Sequence, residues 1–174
     1  TDEFEVLSKP METETIKKNL TKINDFVEAY RIFAQNPVAE NQSKVFEVLL
    51  YSFMSAYIWK MRQHFVLESG RESVRHDICP FMIIGGVAKS GKTTALEFAS
   101  LLLGNNGKRY FKYTQEVAGA GVLVDLFHSS NLFPILVDEI EPSFFHKNNS
   151  PRKGEGFIRH VANDLAGTHP VLIG

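Results

Sequence analysis

The chain has 174 residues, of which 44% are hydrophobic and 22% charged, and a formal net charge of −1 at pH 7. That is the make-up of an ordinary water-facing globular protein of one domain or two small ones, and nothing in the totals argues for nucleic acid or an anionic membrane as partner. The single cysteine, Cys79, excludes an internal disulfide and the multi-cysteine zinc spacings, which fits a reducing, cytoplasmic setting.

Residues 1–12 are polar, contain Pro10 and read as a lead-in; the start at Thr1 without Met suggests a fragment or a processed form. No signal peptide is visible. In residues 13–35, Ile16, Leu20, Ile23, Val27, Tyr30 and Ala34 recur at three- and four-residue steps. That spacing predicts an amphipathic helix, ended by Asn36 and Pro37. A second helix is predicted over residues 40–66, with Val45, Leu49, Phe53, Ala56 and Trp59 apolar on more than one face and so well buried. Glu47, Ser52, Ser55 and Lys60 interrupt its apolar run, which is too short to span a membrane. The two helices suggest a hairpin within a helical N-terminal segment, residues 1–79. Phe46, Tyr51, Phe53, Tyr57, Trp59 and Phe65 stand at helical spacing and read as core rather than as a platform for stacked bases. Residues 68–78 read as a charged connector with solvated Arg71 and Arg75.

From residue 80 strands alternate with helices, which predicts an α/β fold with a parallel sheet. Residues 81–84 are a short apolar strand. They lead into Gly86, Val87, Ala88, Lys89, Ser90, Gly91, Lys92 and Thr93, the G-x-x-x-x-G-K-T phosphate-loop pattern, and then into a helix over residues 94–103 that stops at Gly104. Strand, glycine-rich loop and helix are the context in which this pattern binds a nucleoside triphosphate. Glycine lets the backbone turn its N–H groups toward phosphate oxygens at a helix N-terminus, and Thr94 continues that terminus. Lys92 supplies charge to the β- and γ-phosphates, and Thr93 a hydroxyl to Mg²⁺. Residues 109–113 read as a second strand, and a helix follows through Leu123, Leu126 and Phe127. Residues 132–139 are a nearly continuous apolar run ending in Asp138 and Glu139, similar to a Walker B strand. Asp138 is placed to hold Mg²⁺ through water and Glu139 to act as general base on the attacking water. A polar loop, residues 142–154, carries Lys147, Arg152 and Lys153; a helix over 155–166 and a strand from Pro170 follow. The six histidines form no H-E-x-x-H pattern and read as surface or partly packed residues.

Residues 80–174 resemble the first half of an AAA+ ATPase core. The resemblance rests on the phosphate loop, on the strand ending Val137, Asp138, Glu139, Ile140, Glu141, and on the loop, helix and strand ending at Gly174. Superfamily 3 helicases and STAND switches look alike at this level. The resemblance implies a three-layer P-loop NTPase of the ASCE class. It also implies a γ-phosphate sensor after the fourth strand, an arginine finger and a helical lid, so that the module here is expected to be incomplete. Arg159 reads as a solvated helix residue rather than as that finger.

The function expected is Mg²⁺-dependent ATP hydrolysis that powers remodelling or translocation of a macromolecule, in a subunit of a homo-oligomeric ring. Nucleic acid and protein both fit as the substrate. A slow nucleotide-dependent assembly switch is the alternative. A P-loop kinase fits less well, since a water-activating Glu139 promotes wasteful hydrolysis.

Overall fold

The computed structural model describes residues 10–33, 39–69, 78–104, 110–113, 116, 122–128, 134–141, 144, 157–158, 161 and 171–173. Two compact units divide the chain, Thr1–Phe46 and Glu47–Gly174.

Helix α1 (Thr13–Phe33) carries the predicted stripe. Glu14 in its first turn and Arg31 in its last oppose the helix dipole at each end. Its ion pairs, Lys17 with Glu14 at 4.0 Å and Arg31 with Glu28 at 3.9 Å, are exposed and add little. Tyr30 meets Phe26 ring to ring at a tilt of 59°, and burial pushes its phenol up to about 12. Ala34, Asn36 and Pro37, the expected end of this helix, lie outside the described residues.

Helix α2 (Ala39–Ser69) runs past its predicted end and absorbs Glu68 and Ser69 from the expected connector. Arg71 and Arg75 lie outside the described residues. The boundary between the two units falls inside α2, so its course from Glu47 onward belongs with the sheet. Val48, Leu49, Ser52, Ser55, Ile58 and Arg62 form its buried face. The buried serines are satisfied within the helix: Ser52 Oγ donates to the Val48 carbonyl at 2.7 Å and Ser55 Oγ to that of Ser52 at 2.6 Å. Tyr51 donates its hydroxyl to the Cys79 carbonyl at 3.2 Å, just ahead of the first strand. Burial raises the Tyr51 phenol well above its ordinary range, with Cys79 adding to the shift and Arg62 opposing it. Arg62 Nη1 donates to the Val161 carbonyl at 3.3 Å. Much of the segment read as a separate helical piece is thus bonded to the α/β unit. Of the aromatics assigned to core, Tyr51, Trp59 and Phe65 are half-buried, but Phe46, Phe53 and Tyr57 are exposed. They stand with Leu50 and Met54 on the face of α2 away from its buried residues, and two apolar faces cannot both meet one sheet.

The sheet holds β1 (Phe81–Ile83), β2 (Phe111–Lys112), β3 (Ile135–Asp138) and β4 (Val171–Ile173), in the order β1-β4-β3-β2. Every pairing is parallel: Phe81 and Ile135 flank Val171, and Phe111 faces Val137. Helices α3 (Lys92–Leu102) and α4 (Val122–His128) complete the described elements. Alternation along β3 sorts the core onto two faces. Ile135 and Val137 pack with Tyr113, Leu123, Phe144, Phe157 and Val161. Leu136 packs with Leu96 of α3, joined by Tyr51, Met82, Ile84 and Tyr110. Apolar layers on both faces of a parallel sheet make the expected three-layer α/β fold with a helical N-terminal segment. Phe157, Ile158 and Val161 are helical and fall in the helix predicted over 155–166. β3 starts at Ile135, after Pro134, which has no N–H to give to a ladder. Arg109, Leu132 and Phe133 of the predicted strands lie outside the described residues. Among the described residues no helix is long and apolar enough to cross a membrane.

Leu96 is fully buried where α3 meets the sheet. Leu96→Ala is expected to cost about 2–5 kcal/mol of unfolding free energy, read by urea denaturation followed by circular dichroism. A loss below about 1 kcal/mol would mean that α3 is not held by this contact.

Candidate nucleotide site

The carboxyl ends of parallel strands are where a doubly covered sheet offers room for a ligand, because the following helices start there with their N–H groups exposed. β1 leads into the glycine-rich loop at this end. Lys89 has φ 63° and Gly91 φ 84°, both in the left-handed region. At Gly91 this costs nothing; at Lys89 it stores strain of about 1–3 kcal/mol, as loops that grip ligands often do. The turn closes with the Ser90 N–H on the Val87 carbonyl at 3.3 Å. A Cβ at Gly86 would stand 2.8 Å from Ser90 Oγ, so a larger residue there would make the Ser90 hydroxyl turn away. Gly91 is also the N-cap of α3, with no side chain to occupy the helix's leading N–H groups. At the other end Leu103 and Gly104 close α3 on the carbonyls of Ala99 and Leu101, with Gly104 at φ 78° as the predicted stop.

Lys89, Ser90, Gly91, Lys92, Thr93 and Thr94 line a cavity of ≈ 250 Å³. Gly86, Val87 and Ala88 do not line it. Gly86 and Val87 instead accept hydrogen bonds from Lys92 Nζ, at 2.9 and 3.0 Å. The Lys92 ammonium is therefore folded onto its own loop.

β3 delivers the acids. Asp138 is its last residue and is 5% exposed. A carboxylate at that depth needs partners, and it has two. Thr93 Oγ1 donates to Asp138 Oδ2 at 2.7 Å, and the Glu139 N–H donates to Asp138 Oδ1 at 2.9 Å. The contact joins the helix after the phosphate loop to the acid strand, so the two expected Mg²⁺ ligands already touch. Their chemistry fits that ion: hydroxyl and carboxylate oxygens are hard donors, and Mg²⁺ takes one or two of them, with phosphates and waters supplying the rest. Among the described residues no group of three or more His, Cys, Asp or Glu could hold a metal alone.

Glu139 turns out of the strand with φ 60°, a left-handed conformation uncommon for a residue with a side chain. Its carboxylate is about half exposed and lies 3.6 Å from Lys112 Nζ. Burial and the nearby Glu141 carboxylate raise the phenol of Tyr113, which follows Lys112. The structure thus brings Lys92, Thr93, Asp138 and Glu139 to one end of the sheet. Sequence reading missed Lys112. Its signal was present: Phe111 and Tyr113 take the core side of an alternating strand, which sends Lys112 to the other. Lys147, Arg152, Lys153 and Arg159, weighed from sequence as contacts, lie outside the described residues.

A family model described as the Aq_aa27 P-loop NTPase domain matches residues 1–174. The uncharacterized protein aq_aa27 of Aquifex aeolicus (strain VF5) is 27% identical over 131 residues, which are 74% of this chain and 48% of that protein. The chain therefore spans about half the length of the curated relative it matches. No solved structure matches.

Proposed function

This chain belongs to the Aq_aa27 P-loop NTPase domain family, and from that premise we propose that it binds ATP together with Mg²⁺ and hydrolyses it. The observation that carries the reading is the 2.7 Å hydrogen bond between Thr93 and Asp138, which gathers the donor set for a phosphate-borne Mg²⁺ at the mouth of the loop. Lys92 exchanges the Gly86 and Val87 carbonyls for β- and γ-phosphate oxygens. Backbone N–H groups of the loop and of the α3 N-terminus cradle the phosphates. Thr93 would hold Mg²⁺ directly and Asp138 through water, and the ion would offset charge on the transferring phosphoryl group. Glu139 orients the attacking water and accepts its proton.

The finer reading is an AAA+-like module in a homo-oligomeric ring that remodels or translocates a macromolecule in the cytoplasm, a helicase being one form of it. Two features support it: the Asp138 and Glu139 ending, and a fourth strand inserted between β1 and β3. That order sets the carboxyl end of β4, Ile173, between the phosphate loop and Asp138, where a γ-phosphate sensor would act. The alternative is a slow assembly switch. It is favoured by one observation, that Glu139 has its carboxylate against an ammonium.

Asp138→Asn tests the core of the proposal. It keeps the shape beside Thr93 and removes the charge. Titration calorimetry with ATP, in Mg²⁺ and in EDTA, is expected to show the Mg²⁺-dependent part of the affinity falling by about 10- to 100-fold. A variant that binds Mg·ATP as tightly as the parent would place the metal elsewhere.

A further inference from the structure

The outer face of α2 is apolar at its centre and oppositely charged at its two ends. Leu50, Phe53, Met54 and Tyr57 share this face at helical spacing and are 46, 44, 45 and 63% exposed. Exposed Glu47 stands a turn before the patch and exposed Lys60 a turn after it. At about 3.6 residues per turn, the acid lies on one flank of the patch and the ammonium on the other.

A face of this kind matches itself. Turn a second α2 end for end about a twofold axis between Phe53 and Met54. Tyr57 then comes level with Leu50, Met54 with Phe53 and Lys60 with Glu47, since the members of each pair are equally far from the axis. A left-handed crossing of about 20°, usual for antiparallel helices, leans the two flanks together. Each Glu47 carboxylate then comes within reach of the partner's Lys60, twice by symmetry. A parallel pairing would bring like charges level instead.

We propose that this face of α2 binds a second copy of the chain, antiparallel, with Leu50, Phe53, Met54 and Tyr57 as its core and Glu47 and Lys60 at its rim. Aromatic, Met and Leu side chains at the centre with charge at the edge is the usual division of a protein interface. A whole aromatic side chain offers about 150–250 Å², so four half-exposed residues bury roughly 400 Å² on each copy. Roughly 800 Å² in all falls short of the roughly 1,200 Å² at which stable interfaces begin, so the dimer is weak and reversible. The contact is isologous and joins two copies only; the head-to-tail contact that builds a ring is a different one.

Sedimentation equilibrium of the 174-residue chain, from about 1 to about 300 µM, is expected to show reversible passage from monomer to dimer. Tyr57→Lys sets two ammonium groups in the apolar seam and is expected to leave monomer only, with helix content by circular dichroism unchanged. Charge reversal identifies the partner and its direction. Glu47→Lys and Lys60→Glu each confront like charges and are expected to dimerise about tenfold more weakly than the parent. An equimolar mixture of those two variants makes every pair opposite again and is expected to regain the parent affinity, which only an antiparallel second copy can provide. A parent chain that stays monomeric throughout the range overturns the proposal. So does a dimer that Tyr57→Lys leaves intact, or a mixture no tighter than its components. Where Tyr57→Lys unfolds, the mixture decides, because both of its substitutions fall on exposed residues.

Discussion

Lys92→Ala lowers the affinity for Mg·ATP by at least about a hundredfold, because it removes charge-assisted hydrogen bonds to two phosphates, each worth roughly 1.5–3 kcal/mol. The fold is expected to survive. Lys92 is partly exposed, and its present partners, the Gly86 and Val87 carbonyls, belong to exposed residues that water can serve. The check is equilibrium titration with a fluorescent ATP analogue in Mg²⁺, beside a thermal melt of the same sample. An unchanged melt with lost binding is the expected pair of results. Affinity within a few-fold of the parent would mean that the ammonium stays folded on its own loop and that the cavity is not used as described.

The phosphate loop was legible in sequence because its chemistry fixes residue types at fixed spacing. Lys92 and Thr93 must follow Gly91 for one to reach phosphate and the other to reach metal, and the 2.7 Å contact of Thr93 with Asp138 joins two motifs far apart in the chain. The parallel sheet was legible too, since residues 135–137 must be apolar on both faces to sit between two layers. What α2 packs against was not. Its apolar residues surround the helix, so periodicity said that it was buried without saying by what. Tyr51 and Arg62 find the Cys79 and Val161 carbonyls through contacts between residues distant in sequence, which no local pattern encodes. The same excess of apolar surface made Phe53 and Tyr57 look like core when they are exposed. The fourth strand was expected, but its place between β1 and β3 is set by tertiary pairing and cannot be read from one strand's composition. Lys112 was passed over because a lysine closing a short strand is common, and only register shows that it faces the acids.

Glu139→Gln separates binding from chemistry, and its effect on rate is expected to be the larger. The amide matches the carboxylate in size and takes the same backbone conformation, so the turn at φ 60° and the N–H bond to Asp138 are kept. Thr93, Asp138 and Lys92 are untouched, and Mg·ATP affinity stays within a few-fold of the parent. An amide cannot accept the proton of an attacking water, and a positioned general base contributes about 10²–10⁴ in rate. Single-turnover release of labelled γ-phosphate, with binding measured on the same preparation, reads both quantities. If Glu139→Gln binds and turns over like the parent, the water is activated by another group, and the exposed Glu141, two residues further along after β3, is the next carboxylate to replace.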